Sequence, residues 1–189
     1  MISSILLAAG QSKRMQGENK LIKKIKGIPL IQHAIKNILD SPIEELIIVL
    51  GHQKEIIEKL IDKNKKIKIV FNKDFKSGMA SSIKTGLVNL SQNTEAFFIC
   101  LGDMPFVNKN IYTKLIYFKD KNEIIIPTFN GQQGNPILFS KNMKNKILAI
   151  QGDSGAKKII ETEKNKILNI ETNNEDITKN YNSLDNFII

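Results

Sequence analysis

Apolar residues along this chain fall into two alternating patterns: short, nearly continuous runs, and sets spaced three or four residues apart. Ile5 to Ala9, Leu46 to Leu50, Ile67 to Phe71, Ala96 to Leu101 and Ile124 to Ile126 are of the first kind. Runs of that length read as strands covered on both faces. Between them, Leu30, Ile31, Ala34, Ile35, Ile38 and Leu39 recur at helical spacing, with Pro29 where a first turn tolerates it. Ile56, Ile57, Leu60 and Ile61 predict a second helix, Met79, Ile83, Leu87 and Leu90 a third, and Ile111, Leu115 and Phe118 a fourth. Pro127 is expected to stop the strand that begins at Ile124. Further on, Ile137 to Phe139 reads as a short strand, and Met143, Ile147 and Ile150 as a helix face. Gly152 to Ala156 opens another helix, Ile167 to Ile170 is a last strand, and Leu184, Phe187 and Ile188 a final amphipathic turn. Strand and helix alternate, so right-handed crossovers would build a parallel sheet whose strand ends share one edge.

Length and composition narrow the class without altering that layout. The 189 residues suit one domain over 1–189, and 41% hydrophobic with 25% charged residues fits a globular protein. No apolar stretch approaches the roughly 18 to 20 residues of a membrane span, and the N-terminus lacks the basic start of a signal peptide. The single cysteine, Cys100, lies in an apolar run and behaves as a small hydrophobe. A cytoplasmic protein with no membrane partner is expected.

The formal charge of +9 suggests nucleic acid, but lysine is spread over nearly every segment. The densest run, Lys63 to Lys68, sits between a helix and a strand without aromatic residues, so it reads as a solvated turn and no nucleic-acid partner is expected. The same bias makes Arg14 informative, as the only arginine among 28 basic residues. A planar guanidinium can grip phosphate with two parallel hydrogen bonds where an ammonium cannot.

Candidate chemistry gathers at the strand ends. The first strand runs into a polar loop carrying Gly10, Ser12, Arg14 and Lys20, suited to a phosphorylated ligand. Gly78 precedes a helix whose first turn holds Ser81 and Ser82, an arrangement suited to a phosphate, ribose or base edge. Asp103, in Gly102-Asp103-Met104-Pro105, is placed to hold Mg²⁺ against substrate phosphates, since that ion takes only one or two carboxylates. The turn Gly131 to Pro136 could close over a substrate, and the amide-rich start at Gly152 to Ala156 is a second anion candidate. One Cys and the distant His33 and His52 make no zinc site, so both histidines read as structural. The first loop matches neither the Walker pattern nor Gly-x-Gly-x-x-Gly.

Taken together, Leu7-Ala8-Ala9-Gly10-x-Ser12-x-Arg14-Met15, Lys20, Gly78-Met79-x-x-Ser82, Gly102-Asp103-Met104-Pro105, Gly134-Asn135-Pro136 and Gly152-Asp153-x-Gly155-Ala156 resemble one family over almost the whole chain. It is that of the molybdenum cofactor nucleotidyltransferases, closest to the molybdopterin cytidylyltransferase branch. The resemblance implies a three-layer α/β/α Rossmann-like nucleotidyltransferase fold with a mostly parallel sheet. It implies transfer of CMP from CTP to the phosphate of molybdopterin, with Mg²⁺ and release of pyrophosphate, and a molybdenum hydroxylase as a receiver of the product. On it, Leu7, Ala8, Ala9, Gly10, Ser12, Gly78 and Ser82 bind the nucleotide with Arg14, Lys20 and Asp103, which are the catalytic set. Asp103 and Asn182 would hold the metal, and Gly134, Asn135, Pro136, Asp153 and Gly155 the pterin-phosphate acceptor.

Three departures from the family pattern stand out. Gln16 precedes Gly17 where glycine usually follows the Arg-Met pair, Asn135 replaces a histidine, and Asn180-Tyr181-Asn182-Ser183 stands for an Asp-x-Asp-Thr segment. Ala8-Ala9 favours CTP, because the guanylyl branch usually has glycine second. The alternatives are GTP as donor, another small phosphorylated metabolite as acceptor, and a non-catalytic nucleotide- or cofactor-binding accessory protein.

Overall fold

The computed structural model describes residues 1–12, 19–152 and 155–181. Four parallel strands lie side by side, with the last-named at the sheet edge: β6 (Ala96–Leu101), β1 (Ile2–Ala8), β4 (Glu45–Leu50) and β5 (Ile67–Phe71), whose Ile69 and Phe71 are exposed rather than covered on both faces. A two-residue pair, β2 (Lys24–Ile25) and β3 (Ile28–Pro29), precedes α1 (Leu30–Leu39). The helices that return the chain from β4 to β5 and from β5 to β6 are α2 (Lys54–Glu58) and α3 (Met79–Val88). After β6 come α4 (Lys109–Tyr117), β7 (Ile124–Phe129), β8 (Gln132–Gln133), β9 (Ile137–Ser140), α5 (Lys144–Leu148), α6 (Lys157–Thr162) and β10 (Ile167–Glu171). The order across the large sheet is β10-β7-β9-β6-β1-β4-β5, with β9 antiparallel to both neighbours and β8 paired to β7.

Strand alternation sends side chains into two cores. Leu6, Leu46, Ile48, Phe98 and Cys100 meet α1, α2 and α4 on one face through Leu30, Ile31, Ile57, Ile111 and Leu115. Ile5, Ile47, Val49, Phe97 and Ile99 meet α3, α5 and α6 on the other through Ile83, Leu87, Ile147 and Ile159. This is the expected three-layer α/β/α arrangement. Cys100 is buried, and burial pushes its thiol up to about 12, so it acts as packing. His33 Nε2 lies 3.0 Å from the Ile25 carbonyl and His52 faces the Phe75 ring, which fits structural roles for both. Among the described residues no helix is long and apolar enough to cross a membrane.

Two expectations are corrected. The strand at Ile124 continues through Pro127 to Phe129. The Thr128 carbonyl accepts from Thr172 on the β10 side, whereas the Pro127 carbonyl accepts from Gly134 on the other side. Proline's missing N–H thus faces the side where β9 pairs only with Ile124 and Ile125, and no ladder bond is lost. The second helix is shorter than its apolar spacing predicts: α2 ends at Glu58, Ile57 is buried, and Ile56 is 46% exposed. The final turn read at Leu184, Phe187 and Ile188 lies outside the described residues.

Helix α3 is held close to β1 by Gly86, where a Cβ would stand 2.3 Å from Ile5 Cγ2. Ile5 is fully buried and β-branched, so it has no free rotamer to swing into. We expect Gly86→Ala to lower stability by about 1 kcal/mol or more, overpacking outweighing the gain in helix propensity. Equilibrium urea unfolding checks this, and an unchanged or raised midpoint would contradict the close approach of α3 to β1.

Candidate active site

The parallel registers align Ala8 with Leu50, Leu50 with Phe71, and Leu7 with Leu101, so four strands end at one edge. A cleft of about 400 Å³ opens there, within the usual size of small-molecule sites. Its walls come from Leu7 to Gln11 at the end of β1 and beyond it, from Phe75, Lys76, Gly78, Met79 and Ser82 before and within α3, and from Leu101 and Asp103 at the end of β6 and beyond it. Lys20, Leu21 and Asn180 complete it. The backbone can crowd together here because Gly51 carries no side chain: a Cβ would stand 2.7 Å from Ala9 and from Phe75.

Opposite charges meet in this cleft. Lys20 Nζ donates to Asp103 Oδ2 at 2.5 Å, with the two side chains 18% and 13% exposed. The contact joins the loop after β1 to the turn after β6, 83 residues apart. Charge-assisted bonds between ionised groups are short and strong, and partial burial reduces their screening. The Asp103 turn is also held through its backbone, because the Asp103 carbonyl accepts from Tyr181 N–H at 2.9 Å. Tyr181 packs edge-on against Phe106, which brings the segment after β10 to the cleft and sets Asn180 in its wall.

Lys20 is aimed by two polar neighbours. Ser12, in left-handed backbone at φ 50°, accepts the Lys20 N–H on Oγ at 3.1 Å. Asn19, fully buried, caps the short turn Lys20–Ile22 by accepting Leu21 N–H on Oδ1 at 3.1 Å. Its amide also reaches the His52 carbonyl at 3.5 Å, tying the loop to the end of β4.

A second polar group lies under α3. Asn72, buried where β5 ends, donates from Nδ2 to Ser81 Oγ at 2.8 Å and Ser82 Oγ at 3.0 Å. Its Oδ1 accepts Asp74 N–H at 2.9 Å. Gly78, at φ 109° and ψ 175°, turns the chain into the helix, a backbone geometry that suits glycine.

Of the residues expected from sequence, Leu7, Ala8, Ala9, Gly10, Lys20, Gly78, Ser82 and Asp103 line one cleft, and Ser12 braces it. Gly134, Asn135 and Pro136 do not line it. Gly134 packs against Ile177, whose carbonyl accepts Asn135 N–H at 2.8 Å, and Asn135 and Pro136 border the small space beside Cys100 and Tyr112. Gly155 lies against Met79 Sδ, and the Gly152 carbonyl accepts Ala80 N–H, so this segment flanks the start of α3. Arg14, Asp153 and Asn182 lie outside the described residues, as does the Gln16-Gly17 departure. Among the described residues no cluster of three His, Cys, Asp or Glu side chains is poised for a metal.

Sequence reasoning passed over Asn19, Gln11, Phe75, Lys76, Asn72 and Asn180 as site residues. For Phe75 and Lys76 the signal was present, since they follow a strand that ends on the same edge. Asn19 and Asn72 have their roles through burial, which an isolated asparagine in a polar loop does not reveal. Met79, assigned to the helix core, is 39% exposed and lines the cleft. We expect Asn19→Ala to cost about 1–2 kcal/mol of stability, the range for loss of a helix cap. Thermal or urea denaturation checks this, and a loss under a few tenths of a kcal/mol would show that the loop does not depend on the Asn19 cap.

The family model described as the MobA-like NTP transferase domain matches residues 4–167. A probable molybdenum cofactor guanylyltransferase of Natranaerobius thermophilus is 37% identical over 69% of this chain and 62% of its own length. The molybdenum cofactor cytidylyltransferase of Escherichia coli K12 is 31% identical over 74% of this chain and 70% of its own. Aligned stretches thus span about two thirds of these relatives. In three dimensions the chain superposes on Rv0371c of Mycobacterium tuberculosis H37Rv with a TM-score of 0.88, at 19% identity, covering 98% of this chain and 95% of that one. A structure of that protein in complex with manganese gives a TM-score of 0.77 at 17% identity, over 94% of this chain and 93% of that one. With the cleft at the shared strand edge and the motifs that line it, these matches place the chain in the MobA-like NTP transferase family.

Proposed function

We infer that the protein transfers a nucleoside monophosphate from a nucleoside triphosphate to the phosphate of molybdopterin, releasing pyrophosphate, with CTP as the preferred donor. The observation that carries this reading is the Lys20–Asp103 pair facing a cleft formed by the loops after β1, β5 and β6. Ala8-Ala9 supports CTP, and the cytidylyltransferase of E. coli supports both acceptor and donor. The 37% identical guanylyltransferase supports GTP as the second reading of the donor.

In such a transfer an acceptor phosphate oxygen forms a bond to the α-phosphorus as the bond from that phosphorus to the α–β bridging oxygen breaks. The protein's task is to hold two anions in line and to stabilise charge on the departing pyrophosphate. The Lys20 ammonium, paired with Asp103 on a backbone that Ser12 and Asn19 fix, supplies positive charge on the triphosphate side, with Arg14 as a second candidate in the same loop. Lys76 adds another basic group to the cleft wall beside Lys20. The backbone from Ala8 to Gly10 lines the nucleotide side, and Gly10 offers close approach because a Cβ there would meet nothing within 4 Å.

A divalent cation fits the donor chemistry at Asp103. The group is a hard carboxylate in the cleft wall, and Mg²⁺ commonly takes one or two carboxylates and completes its shell with phosphates and water. Asp103 would hold it, with the Asn182 amide oxygen as a second candidate ligand. When bound, such an ion neutralises triphosphate charge. Asp103 also has the Lys20 ammonium beside it, so the same carboxylate orients the lysine.

A thermal-shift panel of CTP, GTP, ATP and UTP, each with Mg²⁺, tests the donor, since a ligand that binds only the native state raises its apparent stability. The largest rise is expected with CTP; a larger rise with GTP would move the assignment to guanylyl transfer. Asp103→Asn is expected to lower Mg²⁺-dependent pyrophosphate release with molybdopterin and CTP by roughly 10²-fold or more while leaving the circular dichroism spectrum unchanged. Undiminished release would remove Asp103 from the reaction.

A further inference from the structure

We propose that Asn72 sets the nucleotide preference of the cleft by fixing the Ser82 hydroxyl as a hydrogen-bond donor toward the bound base. The claim rests on the nucleotide reading of the cleft given above and adds to it a residue that touches no ligand.

The argument begins with the Asn72 amide. Its Oδ1 accepts the Asp74 N–H at 2.9 Å, and a backbone N–H can only donate. The carbonyl end of the amide is therefore assigned, and the NH₂ end faces Ser81 and Ser82. Asn72 is 3% exposed, so solvent offers it little alternative. Both serine oxygens must then accept from it.

The two serines differ in what remains. Ser81 sends its hydrogen to the carbonyls of Gly78 at 2.8 Å and Asp74 at 3.0 Å, a shared bond within the protein. The Ser82 oxygen accepts at 3.0 Å, and no acceptor for its hydrogen occurs among the described residues. Ser82 is 5% exposed and lies in the cleft wall, so the direction left for that hydrogen is the cleft. A hydroxyl normally rotates to suit either partner. Here Asn72 removes that freedom.

A donor fixed in this way selects an acceptor. The Watson–Crick edge of cytosine carries two adjacent acceptors, N3 and O2, and either satisfies Ser82. Guanine presents N1–H and its exocyclic N2–H₂ over the same part of its edge, and a donor opposite them is left unpaired. A buried polar site built for one hydrogen-bond pattern discriminates strongly against ligands that leave its groups unmatched. Asn72 is thus a positioning residue acting through Ser82.

The test is a double-mutant cycle read by equilibrium titration of the full chain with Mg²⁺·CTP and Mg²⁺·GTP, without any acceptor present. Asn72→Asp keeps an acceptor for the Asp74 N–H but replaces the amine by a second acceptor, so the Ser82 hydrogen turns inward. CTP affinity is expected to fall about tenfold, and the CTP-to-GTP ratio to fall with it. Ser82→Ala should have a similar effect. With Ser82→Ala already in place, Asn72→Asp should change CTP affinity less than twofold, because the two residues act as one unit. Asn72→Ser, which can still donate a hydrogen bond, should recover part of the ratio. Equal losses from Asn72→Asp with and without the Ser82 hydroxyl, or an equal loss for CTP and GTP, would overturn the proposal and leave the function reading intact. Failure of the unsubstituted protein to bind any nucleoside triphosphate would overturn both.

Discussion

The ion pair between Lys20 and Asp103 is the contact on which the site depends. Its two halves come from the loop after β1 and the turn after β6, strands adjacent in the sheet but far apart in sequence. Neither half sits on a strand or an α-helix, so each is fixed by polar contacts to its surroundings. Ser12 and Asn19 hold the lysine end, and Tyr181 holds the aspartate end through the backbone. The charge is placed where parallel strands already open a crevice, which is the general position of ligand sites in open α/β sheets.

The sheet gives that position its rigidity. Central strands are covered on both faces, by α1, α2 and α4 on one and α3, α5 and α6 on the other. The closest approaches are made possible by missing side chains: Gly86 lets α3 sit on Ile5, and Gly51 lets Ala9 and the Cβ of Phe75 press against the chain where β4 ends. The antiparallel β9 between β6 and β7 shifts the later part of the chain sideways, and the segment following β10 returns across the sheet to reach Asp103.

Much of this was legible in the sequence because buried parallel strands leave continuous apolar runs, and most helices left a helical spacing of apolar residues. Ile5 to Ala9, Leu46 to Leu50, Ile67 to Phe71 and Ala96 to Leu101 needed no tertiary knowledge to be read as strands, and their ends pointed to Lys20, Gly78, Ser82 and Asp103. What was illegible depends on pairing. Pro127 stays within its strand because its absent donor faces the side where β9 has few partners, a fact of sheet order that local sequence does not encode. Asn19 and Asn72 become important only because both are buried with their amides occupied, and exposed asparagines have the same letters. Gly134 and Asn135, read at the acceptor side, also pack and bond to Ile177, a contact between distant segments that local sequence does not encode.

The central claim is that this cleft joins a nucleoside monophosphate to a pterin phosphate. Mass spectrometry of the pterin recovered after incubating the full chain with molybdopterin, CTP and Mg²⁺ tests it most directly. The expected result is a pterin heavier by one cytidine monophosphate unit, formed with one pyrophosphate per product. Recovery of the unmodified pterin, with CTP intact or merely hydrolysed, would contradict the account.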